Sequence, residues 1–317
     1  MNVAVLDDYQ GVARQLADWA SLGNNVSVRF FHEHLEDEDE LVQRLELFEI
    51  IAVMRERTPF PRSLIERLPR LKLIVTTGKR NASIDLAACK ERGIVVCGTA
   101  GSAGSTVELT WGLILAVVRG IPREELSMRH GRWQNAVGME LRGKTLGVLG
   151  LGRLGTQVAQ IGQAFGMNVI AWSQNLTAAR AKAAGVHLVT KQQLFERSDV
   201  LTIHLVLSER TRRIVGYQEL AWMKKTAYLV NTSRGPIVDV ADLIRALHDG
   251  EIAGAALDVY DHEPVPPDDP ILHAPNTVLT PHLGYVSDES YQTFYHETLE
   301  DIKAYLAGKP IRLVEEE

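Results

Sequence analysis

Three segments of the sequence carry side chains suited to moving protons and binding acids: Arg234 in VNTSRGPIVD, Glu263 in DVYDHEPVP and His282 in VLTPHLGYV. Arginine offers a planar fork of N–H donors that matches a carboxylate. Histidine exchanges a proton near neutral pH, and a glutamate beside it fixes the ring's tautomer and favours its protonated form. Together the three suit reduction of a 2-oxo acid, or the reverse oxidation. Singly, each has a plain structural reading: a turn histidine after proline, a surface arginine after Asn-Thr-Ser, a Glu-Pro loop. The joint reading needs elements that bring distant segments together.

Such elements are written in the pattern around them. From KTLGVLGLG through NVIAW, DVLTIHL, AYLVNT, AGAALDVY and NTVLTPH, short β-branched runs alternate with helical stretches. That alternation marks βαβ units on a parallel sheet, whose C-terminal strand ends face the ligand crevice. All three candidates stand just beyond such ends. An earlier series, from NVAVLD to GIVVCG, has the same rhythm. Between the two lie a long helix from about Thr106 to Val118 and a polar one through REELSMRHGRW, and after His282 one amphipathic helix remains. The expected fold is α/β, with two Rossmann-like doubly wound parallel-sheet domains. A discontinuous substrate domain is expected over residues 1–99, a dinucleotide-binding domain over 100–284, and a C-terminal helix, 285–317, returning to the first.

In TLGVLGLGRLGTQVAQIGQAFG a strand leads into Gly150-x-Gly152-x-x-Gly155 and then a helix. The first glycine permits the turn, the second lets backbone approach a pyrophosphate, and the third lets helix pack on strand. The helix N-terminus, opened by Arg153 and Leu154, then meets the phosphates. A glycine pattern set between strand, helix and strand is far more specific than one standing alone. The following strand ends at Ser173, where an acidic residue would grip the ribose of NAD. No carboxylate repels an added phosphate there, and no cation follows until Arg180. NAD is the expected cofactor, with NADP also admissible.

Composition sets the outer bounds. The chain has 317 residues, 45% hydrophobic and 23% charged, with a formal net charge of −6. That size can bury a large core, and a net acidic surface attracts neither nucleic acid nor anionic lipid. The longest apolar run, LTWGLILAVV, is about half of a membrane span and reads as a buried helix. Only Cys89 and Cys97 are present, so a disulfide framework and a four-cysteine zinc site are excluded, and no metal site is expected. The start, MNVAVLDDYQ, lacks a signal-peptide pattern, so a cytoplasmic location is expected.

GKTLGVLGLGRLG, LVNTSRGPIVDVADLIRALHDGEIAGAALDVYDHEP and NTVLTPHLG resemble the signatures of the D-isomer-specific 2-hydroxyacid dehydrogenases. The intervals of 29 residues from Arg234 to Glu263 and 19 from Glu263 to His282 are also that family's. The resemblance implies that His282 is the general acid/base, Glu263 its partner and Arg234 the group that binds and polarises a small anionic 2-oxo or 2-hydroxy acid. It further implies that Asp258 contacts the nicotinamide carboxamide, that Thr232 and the strand end at His204 line the cofactor, and that the segment after CGTAGS builds a homodimer. Glyoxylate or hydroxypyruvate is the nearest substrate guess, with a 3-phosphoglycerate-like acid behind it, since no C-terminal regulatory extension follows. A cofactor-sensing, corepressor-like binding protein on the same scaffold is the alternative from another class.

One stretch departs from the family. Its first domain usually carries Gly-x-Gly-x-Asp-Asn-Ile-Asp, whose amides hold the substrate carboxylate. TTGKRNASID keeps Gly78 but sets Arg80 at the second glycine, with Lys79 before it. Either cation would serve a second anionic group on the substrate, or both point into solvent. Arg55, at a comparable strand end, has the same two readings.

Overall fold

The computed structural model describes residues 1–102 and 104–315. The chain divides into two compact units, residues 1–102 with 286–317, and residues 103–285.

In the first unit the strands β1 (Asn2–Val5), β2 (Ser27–Phe30), β3 (Ile50–Val53), β4 (Leu73–Thr76) and β5 (Val95–Gly98) form an all-parallel sheet in the order β2-β1-β3-β4-β5. β3 and β4 are buried throughout, as strands covered on both faces must be. After β1 comes α1 (Ala13–Leu16), and the covers of β3 and β4 include α2 (Glu38–Leu45), α3 (Arg62–Glu66) and α4 (Leu86–Glu91), whose apolar residues join theirs in one core. Asp85 caps α4 by accepting the Ala88 N–H at 2.8 Å, as its place in the sequence suggests. The run ARQLADWASL, which reads as one helix, is instead broken. α1 gives one turn, Ala17 and Asp18 leave helical geometry, and a 3-10 turn follows at Trp19–Leu22. The Trp19 indole N–H donating to Ala13 O at 2.7 Å folds the two pieces together. Register pairs Val53 with Thr76 and Thr76 with Gly98, so Arg55, Gly78 and Thr99 leave the sheet side by side.

The second unit opens with α5 (Gly104–Arg119), whose apolar residues Val107, Trp111, Ile114 and Val118 are buried in its core. α6 (Ile121–Arg129) follows and stops short of the expected Trp133, because Gly131 turns the chain in the left-handed region at φ +73°. Seven parallel strands then form, β6 (Thr145–Leu149), β7 (Asn168–Trp172), β8 (His187–Leu188), β9 (Val200–Ile203), β10 (Tyr228–Asn231), β11 (Gly254–Leu257) and β12 (Thr277–Leu279). The sequence pattern showed six of them. β8 has only two exposed residues at the sheet edge, too few to alternate. Between these strands run α7 (Arg153–Ala164), α8 (Ala178–Ala183), α9 (Lys191–Arg197), α10 (Tyr217–Ala221) and α11 (Val240–His248). The sheet order β12-β11-β10-β9-β6-β7-β8 is doubly wound, reversing between β6 and β9. After it, α12 (Asp288–Leu306) packs on α1, β4 and β5 of the first unit. Among the described residues no single helix is long and apolar enough to cross a membrane.

Candidate active site

Strand register explains why distant residues meet. Ile203, Asn231, Leu257 and Leu279 stand in line across β9 to β12, so the segments after them leave the sheet at one edge. His282 lies three residues beyond β12, its backbone in the left-handed region at φ +53°. Its Nδ1 is 2.5 Å from Glu263 Oε2, with the two side chains 22% and 28% exposed. The pair is partly shielded yet open enough to meet a ligand.

Several bonds fix that geometry. Asp258, fully buried after β11, accepts from Thr280 Oγ1 at 2.6 Å, Leu283 N at 2.7 Å and Gly284 N at 2.8 Å, strapping down the loop that carries His282. Burial raises its carboxyl above the usual carboxylate range, and these donors pull the other way. Thr106 of α5 donates to Gly284 O at 2.7 Å. On the other side, Glu263 Oε1 accepts the Tyr260 N–H at 2.8 Å, and the Tyr260 hydroxyl is shared between the carbonyls of Thr280, at 3.0 Å, and Leu257, at 3.2 Å. Burial, with Asp258 and Glu263 nearby, pushes that phenol well above its ordinary value, so it stays a donor.

Arg234 sits in a turn after β10 that Asn231 braces, its Nδ2 donating to Arg234 O and its Oδ1 accepting from Ser233 N, each at 3.0 Å. Thr232 shares a 2.8 Å hydrogen bond with Thr110 of α5. A Cβ on Gly235 would lie 2.1 Å from the Tyr260 carbonyl carbon, so only glycine lets the arginine turn press on the segment leading to Glu263.

The glycine loop fits a dinucleotide. Gly150 has φ +103°, and a Cβ there would meet the His204 carbonyl oxygen at 2.7 Å. A Cβ on Gly155 would lie 2.1 Å from Gly150 O, where α7 packs on the β6 turn, whereas one on Gly152 would meet nothing within 4 Å. That open backbone, ahead of a helix whose N-terminus has no side-chain cap, is a ready cradle for a pyrophosphate. Arg153 is exposed, Leu154 half-buried against the core, and Ser173 half-buried just past β7. His204 follows β9 at the reversal of the sheet. Its Nε2 meets Thr202 Oγ1 at 3.0 Å, and its enclosed Nδ1 has no partner among the described residues. Burial pushes it down to about 4, so it serves as a neutral hydrogen-bonding group.

Gly78, Lys79, Arg80 and Arg55 belong to the first unit. The Arg55 guanidinium lies over Gly78 (φ +96°), with Nη1 donating to Thr77 O at 3.3 Å. The Gly78 N–H donates to Thr99 Oγ1 at 2.8 Å, so that amide is not among those the turn can offer an anion. Buried Asn81 organises the turn, its Nδ2 bonding Arg55 O and Thr76 Oγ1 and its Oδ1 accepting from Ser83. Lys79 and Arg80 are exposed.

Sequence reasoning missed Asn81, Thr106, Thr110, Asn231, Tyr260 and Thr280. Thr106 and Thr110 had a signal, hydroxyls one helical turn apart on a helix whose next eight residues are apolar. The others brace the backbone or a neighbouring side chain, and no motif of reactive side chains flags them.

A family model for the NAD binding domain of D-isomer specific 2-hydroxyacid dehydrogenases matches residues 111–284. The chain belongs to the D-isomer-specific 2-hydroxyacid dehydrogenase family. It is thereby an NAD-dependent oxidoreductase of the 2-hydroxyacid class. It is 40% identical to a glyoxylate reductase of Aeropyrum pernix, over 80% of this chain and 79% of that one. With a D-3-phosphoglycerate dehydrogenase of Methanocaldococcus jannaschii it shares 39% identity over 86% of its length, but the match spans only 52% of that relative. The crystal structure of a phosphoglycerate oxidoreductase from Vibrio cholerae superposes with a TM-score of 0.92 at 37% identity, covering 97% of this chain and 99% of that one.

Proposed function

We propose that this dehydrogenase interconverts a short D-2-hydroxy acid and its 2-oxo acid, of glyoxylate or hydroxypyruvate size, through Arg234, Glu263 and His282. The observation that carries this is the 2.5 Å pairing of His282 with Glu263, set beside the Arg234 turn at one edge of the sheet. With Nδ1 engaged by Glu263, Nε2 is the nitrogen left to give a proton to the substrate oxygen and to take it back in reverse. The Arg234 guanidinium holds the carboxylate and stabilises charge developing on the carbonyl oxygen. Bound NAD supplies the hydride acceptor or, when reduced, the donor. The loop of Gly150, Gly152 and Gly155 receives its pyrophosphate at the backbone of Gly152, Arg153 and Leu154, Ser173 meets its ribose, and His204, Thr232 and Asp258 the nicotinamide end. His204 Nδ1, which has no partner among the described residues, supports this reading, and the Asp258 carboxylate serves it through the loop it straps.

The substrate-binding domain is residues 1–99 with the returning helix, and Gly78, Arg55, Lys79 and Arg80 are its contribution to anion binding. A panel of 2-oxo acids assayed with NADH and NADPH in parallel tests the reaction, and no turnover on a broad panel would reject it. In the same assays Arg80→Ala is expected to lose about tenfold more kcat/KM on di-anionic acids, phosphorylated ones included, than on glyoxylate, an ion-pair effect of this order. Equal losses on both would place Arg80 outside the substrate site.

The chain works as a homodimer, a reading supported by the apolar side chains that α6 and the following segment leave exposed, among them Leu126, Met128 and Trp133. A cytoplasmic setting suits its two buried, unbridged thiols, Cys89 and Cys97.

A further inference from the structure

We propose that Tyr260 is a positioning residue, its phenol setting the alignment of His282 with Glu263. The inference rests on the dehydrogenase reading above. Tyr260 engages both halves of the pair. Its backbone N–H donates to Glu263 Oε1, and its hydroxyl reaches the Thr280 carbonyl at 3.0 Å. That same carbonyl accepts the His282 N–H at 3.0 Å, so the phenol and the histidine's own amide converge on one oxygen. The hydroxyl's second acceptor, Leu257 O, ends the strand from which Asp258 springs. Gly235, pressed on the Tyr260 carbonyl, refers the Arg234 turn to the same residue. One residue thus indexes these loops, its backbone fixed against the loops of the carboxylate and of the arginine and its phenol reaching the loop of the proton donor.

The simpler alternative is that the phenol only ties β11 to β12 for stability. The bonding pattern argues against it. Without the phenolic oxygen, Leu257 O still accepts the Thr280 N–H at 2.9 Å and Thr280 O still accepts the His282 N–H. No buried acceptor is stranded, so Tyr260→Phe forgoes little stability. What it releases is the lateral tether on a loop whose histidine already sits at an uncommon positive φ.

The test is Tyr260→Phe, alone and combined with Glu263→Gln. Wild-type turnover is measured first, so that inactivity on every 2-oxo acid counts against the reaction and not against Tyr260. The single variant is expected to melt with the wild type, to keep its NADH affinity by fluorescence titration, and to lose about tenfold in kcat with a larger solvent deuterium isotope effect, the mark of a misplaced proton donor. In the Glu263→Gln background, where the pair is already broken, the same change is expected to cost less than about twofold. A kcat equal to wild type, losses that multiply in the double variant, NADH affinity falling in step with kcat, or failure to fold would each overturn the assignment.

Discussion

His282→Ala is expected to lower kcat by about 10²–10⁴-fold while leaving NADH affinity unchanged. The proton donor disappears, whereas the glycine loop after β6 contacts none of the bonds that hold the histidine loop. Alanine tolerates the left-handed backbone at position 282 less well than histidine, a cost of about 1 kcal/mol that thermal melting would register. His282→Asn removes that complication, because asparagine accepts such a φ but cannot pass a proton at neutral pH. Both variants should therefore fail in turnover alike, with the asparagine variant the more stable. Activity in either within about tenfold of wild type, below the usual span for a lost general acid, would show that another group supplies the proton.

Much of this site was legible because its chemistry sits in residues with distinctive types. Arg234, Glu263, His282 and the three glycines are fixed by what they touch or leave room for, and their motifs lie next to strands whose apolar runs are plain. The braces were not legible. Asn231 and Tyr260 act through backbone carbonyls and amides and Thr280 through the Asp258 carboxylate, and those partners come together only once β9 to β12 are in register. Asp258 shows the limit most clearly. Its place suggested a contact with the nicotinamide, but nothing in it announced the bonds from Thr280, Leu283 and Gly284 by which its carboxylate also straps the histidine loop. In the first unit, Lys79 and Arg80 could be recognised as departures from the family pattern, but the Thr99 bond to Gly78 and the Arg55 guanidinium over it depend on β3, β4 and β5 ending together. The broken helix at Ala17 and Asp18 has a similar origin, since nothing local announces the indole bond that closes it.

The glycine loop yields a pair of substitutions that separate folding from binding. Gly155→Ala places a methyl 2.1 Å from Gly150 O, backbone against backbone. Neither partner is the end of a flexible side chain, so α7 must shift off the strand turn, with a loss on the order of 2–4 kcal/mol and a melting temperature lower by several degrees. Gly152→Ala is the opposite case. Its φ of −87° and ψ of −158° suit any residue, and the new methyl meets nothing within 4 Å. The free protein should melt as the wild type does. NADH binding should still weaken by about tenfold or more, since the methyl occupies the space through which backbone amides reach the pyrophosphate. Thermal melting with and without NADH reads both effects at once, because ligand binding raises the melting temperature by mass action. The upward shift should be full in wild type and clearly smaller in Gly152→Ala at the same NADH concentration, by about 1.4 kcal/mol of stabilisation for each tenfold of lost affinity. A Gly152→Ala protein that keeps the full shift would move the pyrophosphate away from this turn, and a Gly155→Ala protein as stable as wild type would mean that α7 has slack the packing does not show.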